Sequence, residues 1–182
     1  MDRAFSISSL YLILFLVIFH RVQSVNDIVE DTCKKIAAKD QQVNFDFCVK
    51  SLGSDPESYK ADLEGLGLIG IKLLQANLTN TMEYIKQLLK QKLEPSLLKA
   101  LSLCLDTYTS STYGTDMISA YKAKIYYEVI NWGSAVATSE DTCDTQVSRK
   151  RGMVPPLTKR NADILQSCLI ALWIVEILDG IA

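Results

Sequence analysis

Histidine is almost missing from this 182-residue chain, and the one copy is His20. It stands just behind an unbroken apolar run, Leu10 to Phe19, which has Arg3 before it and His20-Arg21 after it. The run is shorter than the roughly 20 apolar residues that a bilayer requires. It has the dimensions of a signal-peptide core, and Val22-Gln23-Ser24 offers small residues at the two positions a signal peptidase reads. Residues 1–24 are therefore expected to be a cleaved leader and residues 25–182 the mature, secreted domain. Cleavage removes His20 and leaves no imidazole. That excludes Ser/His/Asp and Cys/His nucleophilic sites, two-histidine zinc sites and HExxH chemistry together.

Other absences point the same way. No Gly-rich phosphate loop and no CxxC pair occurs, and strand-like alternation of β-branched residues is rare. Carboxylate pairs alone can hydrolyse glycosides, but nothing else in this almost wholly helical pattern supports an active site. The chain is not expected to be an enzyme, and no metal or cofactor is expected. Loss of Asp2, Arg3 and Arg21 with the leader takes the 21 acidic and 19 basic residues to 20 and 17. So slight an imbalance gives no electrostatic reason to bind nucleic acid or anionic lipid.

What is present is helical periodicity. From Ser58 to about Gln91, Ile71, Leu74, Leu78, Met82, Ile85 and Leu89 recur at three- and four-residue steps, one stripe of an amphipathic helix. Gly65, Gly67 and Gly70 weaken its start by up to about 1 kcal/mol each relative to Ala, which is tolerable if another helix approaches closely there. Pro95 suits the first turn of a second helix, where its missing N–H removes no hydrogen bond. That helix carries Leu97, Leu98, Leu101, Cys104, Leu105 and Tyr108 on one face and is expected to run to Lys122, with a weak point at 110–114. A third, from about Tyr127 to Arg149, brings back Val129, Trp132, Val136 and Cys143. Gly152 to Pro156 reads as a loop, because consecutive prolines exclude helix. Thr158 is then positioned to cap a last helix that reaches Leu178 and stops at Gly180. Apolar nearly all round from Cys168 to Val175, this helix belongs at the centre of a bundle. Gln166, Glu176 and Asp179 interrupt it and argue against a membrane tail.

The expected fold is all-α: a short N-terminal helical hairpin over residues 25–52, then an antiparallel four-helix bundle over 56–180. Cysteine spacing fits it. Cys33 and Cys48 are centred on Lys39-Asp40-Gln41-Gln42, and Cys104 and Cys143 on Lys122-Ala123-Lys124. Residues equidistant from the turn of a helix hairpin lie at one height, so each pair could form a disulfide without moving the backbone. The two bridges would remove about 3 and 4 kcal/mol of unfolded-state entropy, and they suit an oxidising, extracellular compartment. Cys168 is left as a buried free thiol. Asn77-Leu78-Thr79 is an N-glycosylation sequon, placed within the first long helix.

These residues carry a resemblance. A leader is followed by Cys33, then Asn44-Phe45-Asp46-Phe47-Cys48-Val49-Lys50-Ser51-Leu52, Asp55-Pro56-Glu57-Ser58 and Asp62-Leu63-Glu64-Gly65-Leu66-Gly67, with Cys104, Tyr108 and Cys143 completing the series. The chain resembles the plant invertase and pectin methylesterase inhibitor family, in particular its invertase-inhibiting members of the plane-tree pollen allergen type. The resemblance implies an apoplastic protein that blocks a cell-wall or vacuolar invertase, with pectin methylesterase as the alternative target. In the invertase-inhibiting branch a Pro-Lys-Phe segment, at the turn between the second and third bundle helices, enters the enzyme's cleft. The matching turn here is Lys122-Ala123-Lys124-Ile125-Tyr126-Tyr127-Glu128, without the proline. It makes Lys122, Lys124, Ile125, Tyr126, Tyr127 and Glu128 the candidate enzyme contacts, with Lys124 as the cation and Tyr126 as the aromatic. The pectin methylesterase branch uses polar faces of the bundle helices, and no short motif marks them. A rival of another class is a helical extracellular ligand carrier, which needs a cavity in its apolar core.

Overall fold

The computed structural model describes residues 11, 28–112, 116–148 and 157–180. Apart from Tyr11, the expected leader and its cleavage site lie outside these residues, as does the loop over 152–156. Helix α1 covers 28–39 and α2 Phe45–Gly53. A 3₁₀ turn at Pro56–Lys60 leads into α3, Leu63–Leu88. Then follow α4 (Pro95–Thr112), α5 (Met117–Lys122), α6 (Tyr126–Ser148) and α7 (Thr158–Asp179). No strand occurs among the described residues.

Helices α3, α4, α6 and α7 form an up-down-up-down ring in which each packs on two neighbours. The register is explicit between α3 and α7. Gly67, Gly70, Asn77 and Tyr84 meet Ile174, Ala171, Ser167 and Arg160 in reverse order. The apolar stripe read from the sequence is the buried one: Ile71, Leu74, Leu78 and Ile85 of α3 join Leu97, Leu101 and Tyr108 of α4 and Val129, Trp132 and Val136 of α6. Helix α7 completes this core with Ile164, Cys168, Ala171 and Val175. By length and composition α7 is apolar enough to cross a membrane, with a mean hydropathy of 1.5. Here its apolar residues are shared by two cores, because Ile170 and Ile174 face the hairpin.

The hairpin α1–α2 is too short to bury a core of its own. Val29, Ile36, Val43 and Leu52 pack with Leu66 and Ile69 of α3 and with Ile170 and Ile174 of α7. Polar contacts seat its turn on α7. Gln166 accepts from Asn44 N–H (2.7 Å) and donates to Gln42 C=O (2.8 Å), and Trp173 Nε1 donates to Asp40 Oδ2 (3.0 Å). Disulfides join Cys33 to Cys48, with Cα atoms 5.8 Å apart, and Cys104 to Cys143, with Cα atoms 4.7 Å apart.

Three boundaries differ from the sequence reading. The first long helix starts at Leu63 rather than Ser58, because Asp62 caps it by accepting from Gly65 N–H (2.8 Å). The second ends at Thr112, not Lys122. Its last turns are crowded with hydroxyls that donate back to helix carbonyls: Thr109 to Leu105, Ser111 to Tyr108, and Thr112 to Tyr108 and Thr109. Such local bonds compete with the ladder and weaken a helix interior. Asp116 then starts α5 by accepting from Ser119 N–H (3.1 Å). Finally, the cap position of the last helix is Leu157, and Thr158 is its first helical residue. Gly180, with φ of 75°, ends it in the left-handed conformation that suits glycine.

Candidate functional site

The turn between α5 and α6 is a tight helix stop followed at once by a helix start. Ala123 N–H donates to Ser119 C=O, Lys124 N–H to Tyr121 C=O and Ile125 N–H to Ala120 C=O (2.9, 2.9 and 3.0 Å). The last two bonds are the paired bridges of a Schellman motif. That motif puts one residue in the left-handed region, and here it is Lys124, at φ 59°. Lys124 is the only non-glycine residue with positive φ among the described residues.

Two links tie this turn to the start of α3. Lys124 Nζ lies 3.0 Å from Glu64 Oε2, and Tyr121 Oη donates to the Glu64 main-chain carbonyl at 2.7 Å. The ammonium is held above its ordinary pKa, chiefly by the hydrogen bond it donates to Glu64 and then by the charge of that carboxylate. Tyr121 is buried, and burial raises its phenol well above the usual range. The Tyr126 ring packs on Tyr121 with centroids 5.7 Å apart.

The six expected contact residues therefore separate. Tyr126, proposed from the sequence as the aromatic offered to an enzyme, is only 7% exposed and belongs to the core. It faces inward because α6 begins at Tyr126, so that Tyr126, Val129 and Trp132 share its buried side. Tyr127, one residue on, is 64% exposed and Ile125 is 36% exposed. Lys122 and Glu128 are exposed as well. Glu128 accepts from Tyr127 Oη at 3.2 Å, which raises the Tyr127 pKa and fixes the ring at the first turn of α6.

Sequence reasoning missed Glu64 and Tyr121. Their signal is not local: Glu64 is 60 residues from Lys124 and reads as an ordinary first-turn acid of α3. Asp116 was findable, since Asp three residues before Ser119 is a capping spacing.

Elsewhere, Asn77 donates through Nδ2 to Ser167 Oγ at 2.7 Å, so the nitrogen that would carry a glycan is turned toward α7. Cys168 is buried and its thiol is pushed up to about 12 by burial, which makes it unreactive. Between α4 and α6 runs an open groove of about 430 Å³, lined by Asp106 and by the hydroxyl residues Thr107, Ser110, Thr138, Ser139 and Thr142. A second, of about 280 Å³, lies over Leu78, Met82 and Trp132. Both open to solvent.

A helical hairpin docked on an antiparallel bundle, with one disulfide in each part, defines a disulfide-stapled all-helical domain. The family model described as plant invertase/pectin methylesterase inhibitor matches residues 27–174, and the chain belongs to that family. A Platanus acerifolia protein named "Putative invertase inhibitor" is 39% identical over 155 residues, covering 85% of this chain and 87% of that one. The Actinidia deliciosa protein named "Pectinesterase inhibitor" is 26% identical over 182 residues, 95% of each chain. Among solved structures, a mutant form of a pectin methylesterase inhibitor from Arabidopsis superposes with a TM-score of 0.66 at 24% identity, over 73% of this chain and 89% of that one. The fold is the same.

Proposed function

We propose that this protein is a secreted inhibitor of a plant cell-wall or vacuolar invertase, and that it presents the α5–α6 turn to the enzyme with Tyr127 as the anchor. The observation that carries the reading is the exposure of Tyr127 on a turn whose backbone is already fixed. A rigid, exposed aromatic loses little conformational freedom on binding. The 39% identity to a protein named as an invertase inhibitor favours the invertase target. The leader expected over residues 1–24 supports secretion.

Pectin methylesterase is the second reading. The hydroxyl-lined groove between α4 and α6 favours it, because it offers a polar helix face for docking, and the relative from Actinidia is named for that target. To decide, the oxidised mature protein is mixed at mildly acidic pH with purified invertase and, separately, with pectin methylesterase, and product release is followed. Slowing of invertase is expected. Slowing of pectin methylesterase alone would transfer the function to the groove, and no effect on either would overturn the inhibitor reading.

A further inference from the structure

The left-handed Lys124 poses a physical question. A side chain in that region is disfavoured relative to glycine by about five-fold or more in population, yet here it sits at the head of the turn that carries Tyr127. The two Schellman hydrogen bonds would form with any residue at this position, so they do not explain a lysine. The side chain does. It reaches back across the turn, and its ammonium donates to Glu64 Oε2 at 3.0 Å.

Glu64 is well placed to hold it. Its carboxylate lies in the first turn of α3, where the helix dipole favours negative charge. Its own main-chain carbonyl takes the Tyr121 hydroxyl, so one residue of α3 grips the segment at two points, Tyr121 and Lys124. Both contacts join the start of α3 to the end of α5 and the turn that follows it.

We propose that Glu64 is a positioning residue for inhibition: its carboxylate holds Lys124 in the left-handed conformation and so sets the direction in which Ile125 and Tyr127 leave the bundle. This rests on the reading of the turn as the inhibitory element. It also assigns Lys124 a role inward, toward Glu64, rather than outward toward an enzyme carboxylate. An exposed ion pair changes an equilibrium by up to about five-fold, the same size as the smallest left-handed penalty. The pair is therefore of a size to offset the lower end of that penalty, in addition to the two Schellman hydrogen bonds.

The test uses the oxidised mature protein as wild type, E64A, E64Q, K124G, E64A/K124G and Y127A. Amide hydrogen exchange at Lys124 and Ile125 is measured beside inhibition of invertase. E64A should speed exchange at these two amides by up to about five-fold and weaken inhibition by a similar factor, with the rest of α3 and α6 as protected as before. E64Q, which keeps an acceptor oxygen without the charge, should fall between E64A and wild type. Glycine adopts the left-handed region without strain, so in the K124G background E64A should change neither quantity further, whatever K124G itself does to inhibition. Unchanged exchange in E64A, or an equal effect of E64A in both backgrounds, would overturn the proposal. If Y127A is impaired and E64A inhibits like wild type, the positioning role alone falls. If Y127A inhibits like wild type, the turn is not the inhibitory element and the positioning role falls with it.

Discussion

The hydroxyl of Tyr121 occupies the space that a side chain at Gly67 would need. A Cβ built on Gly67 would stand 2.2 Å from Tyr121 Oη and 3.0 Å from Ile174 Cγ2. Gly70, one turn along, faces Ala171 at an ordinary 3.5 Å. The two glycines of α3 thus have different reasons to be glycine, although both lower helix propensity by the same amount.

Gly67→Ala should destabilise the protein by about 1–3 kcal/mol, because the overpacking against a hydrogen-bonded phenol exceeds the gain in propensity. Gly70→Ala should be neutral or stabilising by up to about 1 kcal/mol. Thermal denaturation separates them, at roughly 2–4 °C per kcal/mol for a domain of this size. Equal behaviour of the two variants would contradict the packing at Gly67.

Much of this architecture is legible in the chain itself. The stripe from Ile71 to Leu89, Pro95 at a helix start and Gly180 at a helix end each act locally, through side-chain period, a missing N–H and a missing Cβ. The break after Thr112 was half legible: the Ser/Thr run warned of weakness, but only the capping by Asp116 turns weakness into a new helix. The inward turn of Tyr126 was not legible, since it depends on where α6 begins relative to Tyr121. Glu64 and Lys124 meet only because α3 starts at the corner where α5 ends, a relation that no local pattern carries.

Tyr126 and Tyr127 make a paired test of that corner. Tyr126→Ala removes a buried ring packed at a tilt against Tyr121 and should destabilise by about 3 kcal/mol, seen as a lower Tm. Tyr127→Ala should leave Tm within about 2 °C of wild type, as surface substitutions do, while weakening invertase inhibition by about thirtyfold if it is the anchor. A Tm loss for Tyr127→Ala and none for Tyr126→Ala would reverse the assignment of core and contact.

The Asn77 sequon should remain unmodified in protein secreted from a eukaryotic host, because a glycan on Nδ2 would break the bond to Ser167 and would have to fit between α3 and α7. Intact mass before and after endoglycosidase treatment checks this. A mass loss on treatment that is absent in Asn77→Gln would show that the side chain turns outward during maturation.

The last prediction concerns acid. Glu140 on α6 is only 6% exposed, and its pKa is raised to about 7, first by burial and then by Asp144 and Asp141 on the same helix. Tyr108 of α4 and Cys168 of α7 face it from the neighbouring helices, and each is itself pushed up by burial and by this carboxylate. None of these groups supplies a positive charge. The folded state therefore prefers Glu140 protonated, whereas the unfolded chain releases its proton near 4.5. Below that value the group contributes its full stability. Between about 4.5 and 7 the folded state binds more protons than the unfolded one, so stability falls as pH rises through this window. The total loss is at most about 3 kcal/mol, reduced by whatever water reaches the carboxyl. The protein should accordingly melt higher at pH 5 than at pH 8, and Glu140→Gln, which carries no charge at either pH, should narrow that difference. Chemical denaturation at the two pH values gives the same comparison as free energies. An equal pH dependence in Glu140→Gln and wild type would move the effect to the exposed carboxylates. The one histidine of the sequence, His20, lies outside the described residues, and among the carboxyls Glu140 is one that the bundle itself has shifted toward neutrality.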